Sequence, residues 1–213
     1  MIITHQGLQF FKVQFGDITL AFNPISKESK IKSPRFGADI ALISNNHVDM
    51  NGSEILSYSD REPFVIKGPG EYEIKDVFIK GFASKTNYDS KEDKLNTIYY
   101  VRLEGMNILF LGSLNDKELP HDAKEAIEEV DILFIPIGDD GVLDPNIAAK
   151  LATTLEPKII IPMHYDLSGS KNALSTFLKE YGSEKVAPID KLTIRKKDLE
   201  GKDGEVVVIK SDN

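Results

Sequence analysis

The chain has 213 residues, a length that favours one compact domain with a sizeable core. Its composition, 41% hydrophobic and 28% charged, excludes a disordered protein, and the lack of cysteine excludes disulfides, cysteine-ligated zinc and a thiol nucleophile. The net charge of −8 argues against a dedicated nucleic-acid-binding protein, because such proteins neutralise phosphates with a basic face.

The first residues, MIITHQG, predict no secretory leader, because they contain neither a charged start nor a long apolar run. No stretch of the chain reaches the roughly 18 apolar residues that a membrane helix needs. The longest apolar runs, such as 132–137, indicate buried strands instead. We therefore expect a cytoplasmic protein that does not bind membranes.

The first half of the sequence has the alternating polarity of β-strands. Gly16-Asp17 and Glu104-Gly105 are predicted to be the turns of two hairpins. Gly68-Pro69-Gly70 and Lys75-Asp76 supply further turns. The predicted strands are 8–15, 17–22, 39–43, 63–66, 72–74, 77–82, 97–103 and 107–111.

Helical spacing of apolar residues is confined to the second half. It predicts helices over 117–130, from Asp144-Pro145 to Leu155, and over 171–181, where Gly182 ends the last one. Strands are predicted between and after these helices, at 132–136, 158–162, 192–194 and 205–209. Many strands followed by βα units predict two sheets packed face to face with helices outside, in a single domain over 1–213.

Two of the four histidines stand where catalytic and ligand-binding groups are commonly found. His47 and His164 each follow a short buried strand, whereas His121 is expected to be a solvated helix residue and His5 a structural one. Asp49 follows His47 closely enough for both side chains to reach one point, and such donors suit zinc, iron or manganese. Alternatively, His47 and Asp49 form hydrogen bonds within their own turn and bind no metal. The spacing leaves both interpretations open.

Three segments together resemble the metallo-β-lactamase fold. They are DIALISNNHVDMNG at 39–52, GPGEYEI at 68–74 and IPMHY at 161–165. The branch that they resemble is a group of small bacterial metal-dependent hydrolases related to ascorbate-6-phosphate lactonase. The resemblance implies a four-layer αββα sandwich, an α/β (α+β) fold, over nearly the whole chain, and a homo-oligomer by analogy alone.

The resemblance also implies a two-metal site, and about three of its seven ligand positions match here. The matching residues are His47, Asp49 and His164. The four positions that differ, where the family has three histidines and a bridging aspartate, are Asn45, Met50, Thr86 and Ser113. Asn23 also replaces the aspartate of an Asp-Pro turn. We therefore expect no metal or one weakly bound divalent ion, because a catalytic zinc normally has three protein ligands and a water.

Two further arrangements stay open at this point. Asp139, Asp140 or Asp166 could complete a single-metal site, although acids after strand ends are more often turn and cap residues. Ser113 and His164 could form a nucleophile–base pair, but the chain has no Gly-x-Ser-x-Gly elbow.

The sequence thus supports two functions. The first is a divergent member of the family whose metal site is largely lost and which acts as a binding or assembly module for a small molecule or a protein. The alternative is a metal-dependent hydrolase with a reduced or rearranged single-metal site, acting on a phosphodiester or a lactone, with a metal-bound water as nucleophile.

Overall fold

A computed structural model of the chain describes residues 1–58, 62–183 and 185–211. Two mixed β-sheets pack face to face, as the sequence predicts. The first sheet has the strand order β12-β1-β2-β3-β4-β5. Its strands are β1 (Ile2–His5), β2 (Phe11–Phe15), β3 (Ile18–Phe22), β4 (Ile40–Leu42), β5 (Phe64–Ile66) and β12 (Leu192–Thr193).

The second sheet has the order β13-β11-β10-β9-β8-β7-β6 and begins with a meander. Its strands are β6 (Gly70–Ile74), β7 (Val77–Thr86), β8 (Lys94–Leu103), β9 (Met106–Phe110), β10 (Ile132–Pro136), β11 (Ile159–Met163) and β13 (Glu205–Val206). Strands β6 to β9 run antiparallel to one another, whereas β9, β10, β11 and β13 are parallel neighbours. In both sheets, parallel strands therefore end along one edge.

The main core lies between the sheets and contains aromatic side chains from both of them. Phe11 packs edge-on against Phe134 with ring centroids 4.8 Å apart, and Phe22 lies 4.8 Å from Phe110. All four side chains are fully buried, and burial of this kind stabilises a fold by about 1.5–3 kcal/mol per side chain. The α/β sandwich fold predicted from the sequence is confirmed.

Among the described residues, three α-helices cover the outer face of the second sheet: α1 (His121–Ala126), α2 (Pro145–Leu155) and α3 (Ala173–Tyr181). The outer face of the first sheet is covered mainly by irregular chain and a short 3-10 turn at Ser53–Ile55. The prediction of a helix over 117–130 is wrong in its length. The helix begins after Pro120, because proline has no backbone N–H and is excluded from the interior of a helix. The chain becomes extended at Ile127.

The predicted strand 8–15 is also shorter than expected. Residues 7–10 form a turn, closed by a hydrogen bond from the Phe10 N–H to the Gly7 carbonyl, with Gly7 and Leu8 at positive φ. Strand β2 begins only at Phe11. Leu8 and Phe10 have the spacing of strand residues, and both are buried, but they lie in the turn.

The C-terminal segments join the edges of the two sheets. Strand β12 pairs with β1, and β13 pairs with β11. These contacts are compatible with one domain over 1–213, which stays a prediction. No helix among the described residues is long and apolar enough to cross a bilayer.

The N-terminus of α2 has the cap that the sequence predicts. The carboxylate of Asp144 accepts hydrogen bonds from the backbone N–H groups of Asn146 and Ile147, at 2.8 and 3.2 Å, and Pro145 begins the helix. We expect Asp144→Ala to lower the free energy of unfolding by about 1 kcal/mol. Denaturant unfolding would measure it, and Asp144→Asn, which keeps a capping oxygen, is the matched control. Equal losses in the two variants would contradict this assignment.

Candidate functional site

Polar side chains converge where β3, β4, β9 and β11 end and where the antiparallel strands β2 and β8 begin. We call them the polar network. Its members are Gln9, Asn23, Ser44, Asn96, Ser113 and His164. All are buried, with side chains at most a few per cent exposed. The network contains no carboxylate, so it does not suffer the repulsion between like charges that an empty cluster of acids would.

A run of hydrogen bonds connects the two sheets through this network. The backbone N–H of Ser44 donates to Asn23 Oδ1 over 2.8 Å, and Asn23 Nδ2 donates to Gln9 Oε1 over 2.7 Å. Gln9 Nε2 lies 2.7 Å from His164 Nδ1. Asn23 and His164 both have a left-handed backbone, with φ of 45° and 60°, which turns their side chains into the interior.

Ser113 occupies the centre of the network. Its Oγ lies 3.2 Å from Gln9 Nε2 and 3.0 Å from the thioether sulfur of Met50, and its backbone N–H donates to Asn96 Oδ1. Gly112 precedes it with φ of 59°, and a Cβ there would approach Asn96 Oδ1 to 2.5 Å. Only glycine fits this close approach, so the turn that holds Ser113 depends on it.

His164 is neutral at physiological pH. Burial lowers the pKa of its imidazole to about 4, although Asp140, Asp166 and Asp49 act in the opposite direction. Its Nε2 is buried and has no hydrogen-bond partner among the residues that the structure describes. The ring of Tyr88 packs edge-on against the imidazole, with centroids 4.8 Å apart.

His47 and Asp49 form a second cluster closer to the surface, and their partners come from neighbouring loops. His47 Nε2 lies 3.2 Å from Asp89, and its Nδ1 accepts the N–H of Asp49 over 3.2 Å. Asp49 accepts hydrogen bonds from the hydroxyls of Tyr88, at 2.8 Å, and Ser29. Burial, and then the hydrogen bond to Asp49, raise the pKa of the Tyr88 phenol, which therefore stays protonated and donates.

Tyr88 is the contact between the two clusters. Its ring also packs edge-on against His47, with centroids 4.9 Å apart, and it is only 6% exposed. It forms part of the wall of a cavity of about 410 Å³, together with His47, Asp49, Asp89 and Asp140. The segment 23–37 and the loop between β7 and β8 both contribute to its lining. A larger groove of about 780 Å³ between α1 and α2 includes none of these side chains.

The structure brings most of the predicted positions to this region. Asn45 is buried, and its Nδ2 has no partner within the described ranges. Thr86 is buried too, but its hydroxyl bonds the Gly141 carbonyl and the Tyr88 N–H, which is a structural role. Met50 is buried against Ser113.

Two of the three alternative acids already accept hydrogen bonds from other segments of the chain. Asp166 accepts the Leu8 N–H over 3.2 Å, and Asp140 accepts the Ser168 hydroxyl over 2.9 Å, whereas Asp139 is an exposed residue of a turn with φ of 57°. Of these acids, Asp140 is part of the cavity lining. The Ser113–His164 pair does not form a direct hydrogen bond, because the Gln9 amide bonds both of them.

Sequence reasoning missed Gln9 and Tyr88 as site residues. Gln9 falls within the predicted strand 8–15, but in the structure it precedes β2. Because β2 pairs antiparallel with β3, the start of β2 lies beside the end of β3, where Asn23 follows. A Gly7 turn signal was present in the sequence and could have located it. Tyr88 is an aromatic residue in a polar loop, and such a residue gives no spacing signal of its own.

The donor set does not fit a two-metal centre. Asn23 and Ser113 are neutral and hydrogen-bonded to protein groups, so neither supplies a charged oxygen to a metal ion. Within the described part of the chain, no group of three or more His, Cys, Asp or Glu side chains is arranged to hold one ion. A catalytic zinc would need three such ligands.

Comparison with known proteins identifies the family. The family described as the Beta-lactamase superfamily domain matches residues 3–164, which is more than half of the chain. The chain therefore belongs to the metallo-β-lactamase superfamily, as its sequence motifs indicate.

The relatives are small proteins of similar length. A UPF0173 metal-dependent hydrolase of Listeria innocua is 26% identical, covering 78% of this chain and 86% of its own. A second, from Lysinibacillus sphaericus, is 27% identical with the same coverage. The crystal structure of a proposed Zn-dependent hydrolase of this superfamily from Thermotoga maritima superposes with a TM-score of 0.78, at 27% identity over 99% of both chains.

Proposed function

We propose that this chain uses the metallo-β-lactamase fold without a dinuclear metal centre and acts as a binding or assembly module. The observation that carries the proposal is the polar network at the ends of the strands. There the amide of Gln9 accepts a hydrogen bond from Asn23 Nδ2 at Oε1, and its Nε2 donates to Ser113 Oγ. The amides and the hydroxyl at the centre of this network are hydrogen-bonded to one another without an ion, which supports a fold that does not depend on one.

The outer cluster supports the same proposal. Asp49 accepts two hydroxyl donors, and His47 accepts a backbone N–H at Nδ1. A metal ion would have to displace the hydrogen bond at Nδ1 before that nitrogen of His47 could bind it, whereas the hydrogen bonds to Asp49 hold its carboxylate in the present orientation. Loss of an outer partner alone typically changes metal affinity by about 10- to 100-fold, so the loss of direct ligands is expected to cost more.

The cavity beside Tyr88 is where we expect a partner or ligand to bind. Its volume of about 410 Å³ lies within the range of small-molecule sites. The lining combines the carboxylates of Asp89 and Asp140 with the exposed apolar side chains of Val48 and Leu167. Both a small molecule and a segment of a protein partner are compatible with this surface.

The second candidate function is a metal-dependent hydrolase with a single, rearranged metal site, acting on a phosphodiester or a lactone. Two observations favour it: the relatives bear the name of metal-dependent hydrolases, and His164 Nε2 has no partner in the described residues. Zinc, manganese or iron would be the metals to test, because His and Asp donors suit them.

Metal addition separates the two functions. We expect protein purified without chelator or a nickel column to contain substoichiometric metal, and zinc, manganese or iron(II) to leave its melting temperature unchanged. A metal present at about 100 times its Kd would stabilise the fold by about 2.7 kcal/mol, which corresponds to several degrees for a chain of this size. Elemental analysis and thermal unfolding are the measurements.

His121→Ala is the matched control for His47→Ala and His164→Ala, because His121 is exposed on α1. A stoichiometric metal that disappears in the His47 and His164 variants, but not in the His121 variant, would replace the binding-module proposal with the hydrolase. Screening phosphodiesters and lactones would then be the next step.

A further inference from the structure

We infer that Asn23 and Gln9 lock His164 in the tautomer that has its proton on Nε2, so that this histidine presents a hydrogen-bond donor where a metal ligand would need a lone pair. The inference deepens the proposed function. Only its consequence for metal binding rests on that function. The tautomer itself follows from the hydrogen bonds.

The starting point is a donor whose identity is certain. The backbone N–H of Ser44 can only donate, and it lies 2.8 Å from Asn23, so the atom of Asn23 that faces it must be the oxygen. The Asn23 NH₂ group therefore points the other way, toward Gln9 at 2.7 Å and the Ser44 hydroxyl at 2.8 Å. One backbone group thus sets the orientation of the first amide.

The second amide follows from the first. Because the Asn23 NH₂ donates, the atom of Gln9 that receives it must be Oε1. Gln9 Nε2 is then the atom that faces His164 Nδ1 at 2.7 Å. An NH₂ group cannot accept, so Nδ1 must hold a lone pair, and a neutral imidazole then has its proton on Nε2.

The alternative tautomer meets a conflict at every step. A proton on His164 Nδ1 would face the Gln9 NH₂, and turning Gln9 would set its NH₂ against that of Asn23. Turning Asn23 would set its NH₂ against the Ser44 N–H, which cannot turn. The direction of all these hydrogen bonds is therefore determined by the backbone N–H of Ser44, just after β4.

A single carboxylate should reverse this direction. In Asn23→Asp, residue 23 only accepts, so Gln9 can turn its NH₂ toward residue 23 and its carbonyl toward His164. Nδ1 then takes the proton and Nε2 gains the lone pair. Gln9→Glu should produce the same outcome one step closer to the imidazole, because a carboxylate facing Nδ1 can only accept a hydrogen bond from an Nδ1–H group.

The test is long-range ¹H–¹⁵N NMR of metal-free, ¹⁵N-labelled protein, which distinguishes protonated from unprotonated ring nitrogens. With four histidines in the chain, substitution of each of the other three by Gln assigns His164 by elimination. We expect the Nε2–H form in the wild type and a proton on Nδ1 in Asn23→Asp and in Gln9→Glu. Asn172→Asp, the same chemical change at an exposed position before α3, should leave the wild-type pattern.

A proton on Nδ1 in the wild type would overturn the inference. So would an unchanged tautomer in a folded Asn23→Asp protein or, if that variant does not fold, in Gln9→Glu. The reversal is decisive, since it depends on the relay and not on the preference of an isolated imidazole.

Zinc titration of the same samples keeps this inference separate from the proposed function. We expect Asn23→Asp to bind zinc at least about tenfold more tightly than the wild type, with His164 resonances shifting. Stoichiometric zinc binding by a wild type whose metal-free form is Nε2–H would contradict the binding-module proposal but leave the lock intact. A wild type that has its proton on Nδ1 and does not bind zinc would overturn the tautomer inference and leave the binding-module proposal intact.

Discussion

Replacement of Tyr88 by Ala is expected to lower the free energy of unfolding by about 3–5 kcal/mol, the usual cost of removing a buried aromatic ring. The ring is almost fully buried and packs edge-on against both His47 and His164. Its removal joins the buried imidazole of His164 to the cavity beside it. Denaturant unfolding followed by circular dichroism measures the effect.

Two matched variants divide this cost. Tyr88→Phe keeps the ring and removes only the hydroxyl that donates to Asp49, so we expect a loss of about 0.5–1.5 kcal/mol. Tyr58→Ala removes a tyrosine that is 71% exposed and should change the free energy by no more than about 0.5 kcal/mol. If Tyr88→Ala costs as little as Tyr58→Ala, Tyr88 does not connect the two clusters.

The second large effect is expected at Asp131, at the opposite end of the parallel strands. Its carboxylate is fully buried and receives Lys158 Nζ at 2.7 Å, Lys196 Nζ at 2.9 Å and the Asn107 N–H at 2.8 Å. Asp131→Ala should lower the free energy of unfolding by about 3 kcal/mol, at the lower end for buried pairs because both lysines reach solvent.

The stability that the Asp131 carboxylate contributes should decrease as the pH falls. Burial alone would raise the pKa of Asp131, but the hydrogen bonds from Lys158, Asn107 and Lys196 outweigh it and lower the pKa. A lowered pKa in the folded state gives stability that is fully present above the unfolded value of about 3.9 and is lost as the pH falls through the folded pKa. The difference between wild type and Asp131→Asn should therefore shrink below about pH 4.

The measurement is urea unfolding of both proteins at a series of pH values. Asp17→Asn, at an exposed hairpin turn, is the control and should show no such convergence. A difference between wild type and Asp131→Asn that stays constant below pH 4 would mean that the carboxylate is not stabilised by its lysines.

Family membership and site chemistry point in different directions in this chain. The fold and the relatives are those of metal-dependent hydrolases. At the strand ends, however, neutral amides and hydroxyls occupy the centre of the site, and His164 is hydrogen-bonded to an amide. This contrast is why metal content and the tautomer of His164 are more informative first measurements than a substrate screen.

Much of the architecture could be predicted, because in those segments the local preferences of the residues agree with the tertiary packing. Alternating polarity and the turns at Gly16-Asp17 and Glu104-Gly105 predict two hairpins that the structure contains. Asp144 and Pro145 predict the start of α2 in the same way. The predictions were wrong where the two disagree: Pro120 shortens α1, and the turn at 7–10 interrupts the first long strand.

The sequence by itself determined the superfamily and the sandwich, because these depend on periodicity, turn residues and the order of motifs along the chain. Only the tertiary structure decided how the buried polar groups at the strand ends are hydrogen-bonded. Gln9 precedes a strand of the first sheet and His164 follows a strand of the second, so the two meet only when the sheets pack. The direction of each hydrogen bond, and with it the proton position on His164, depends on a backbone N–H at the end of one strand, which no spacing of side chains reveals.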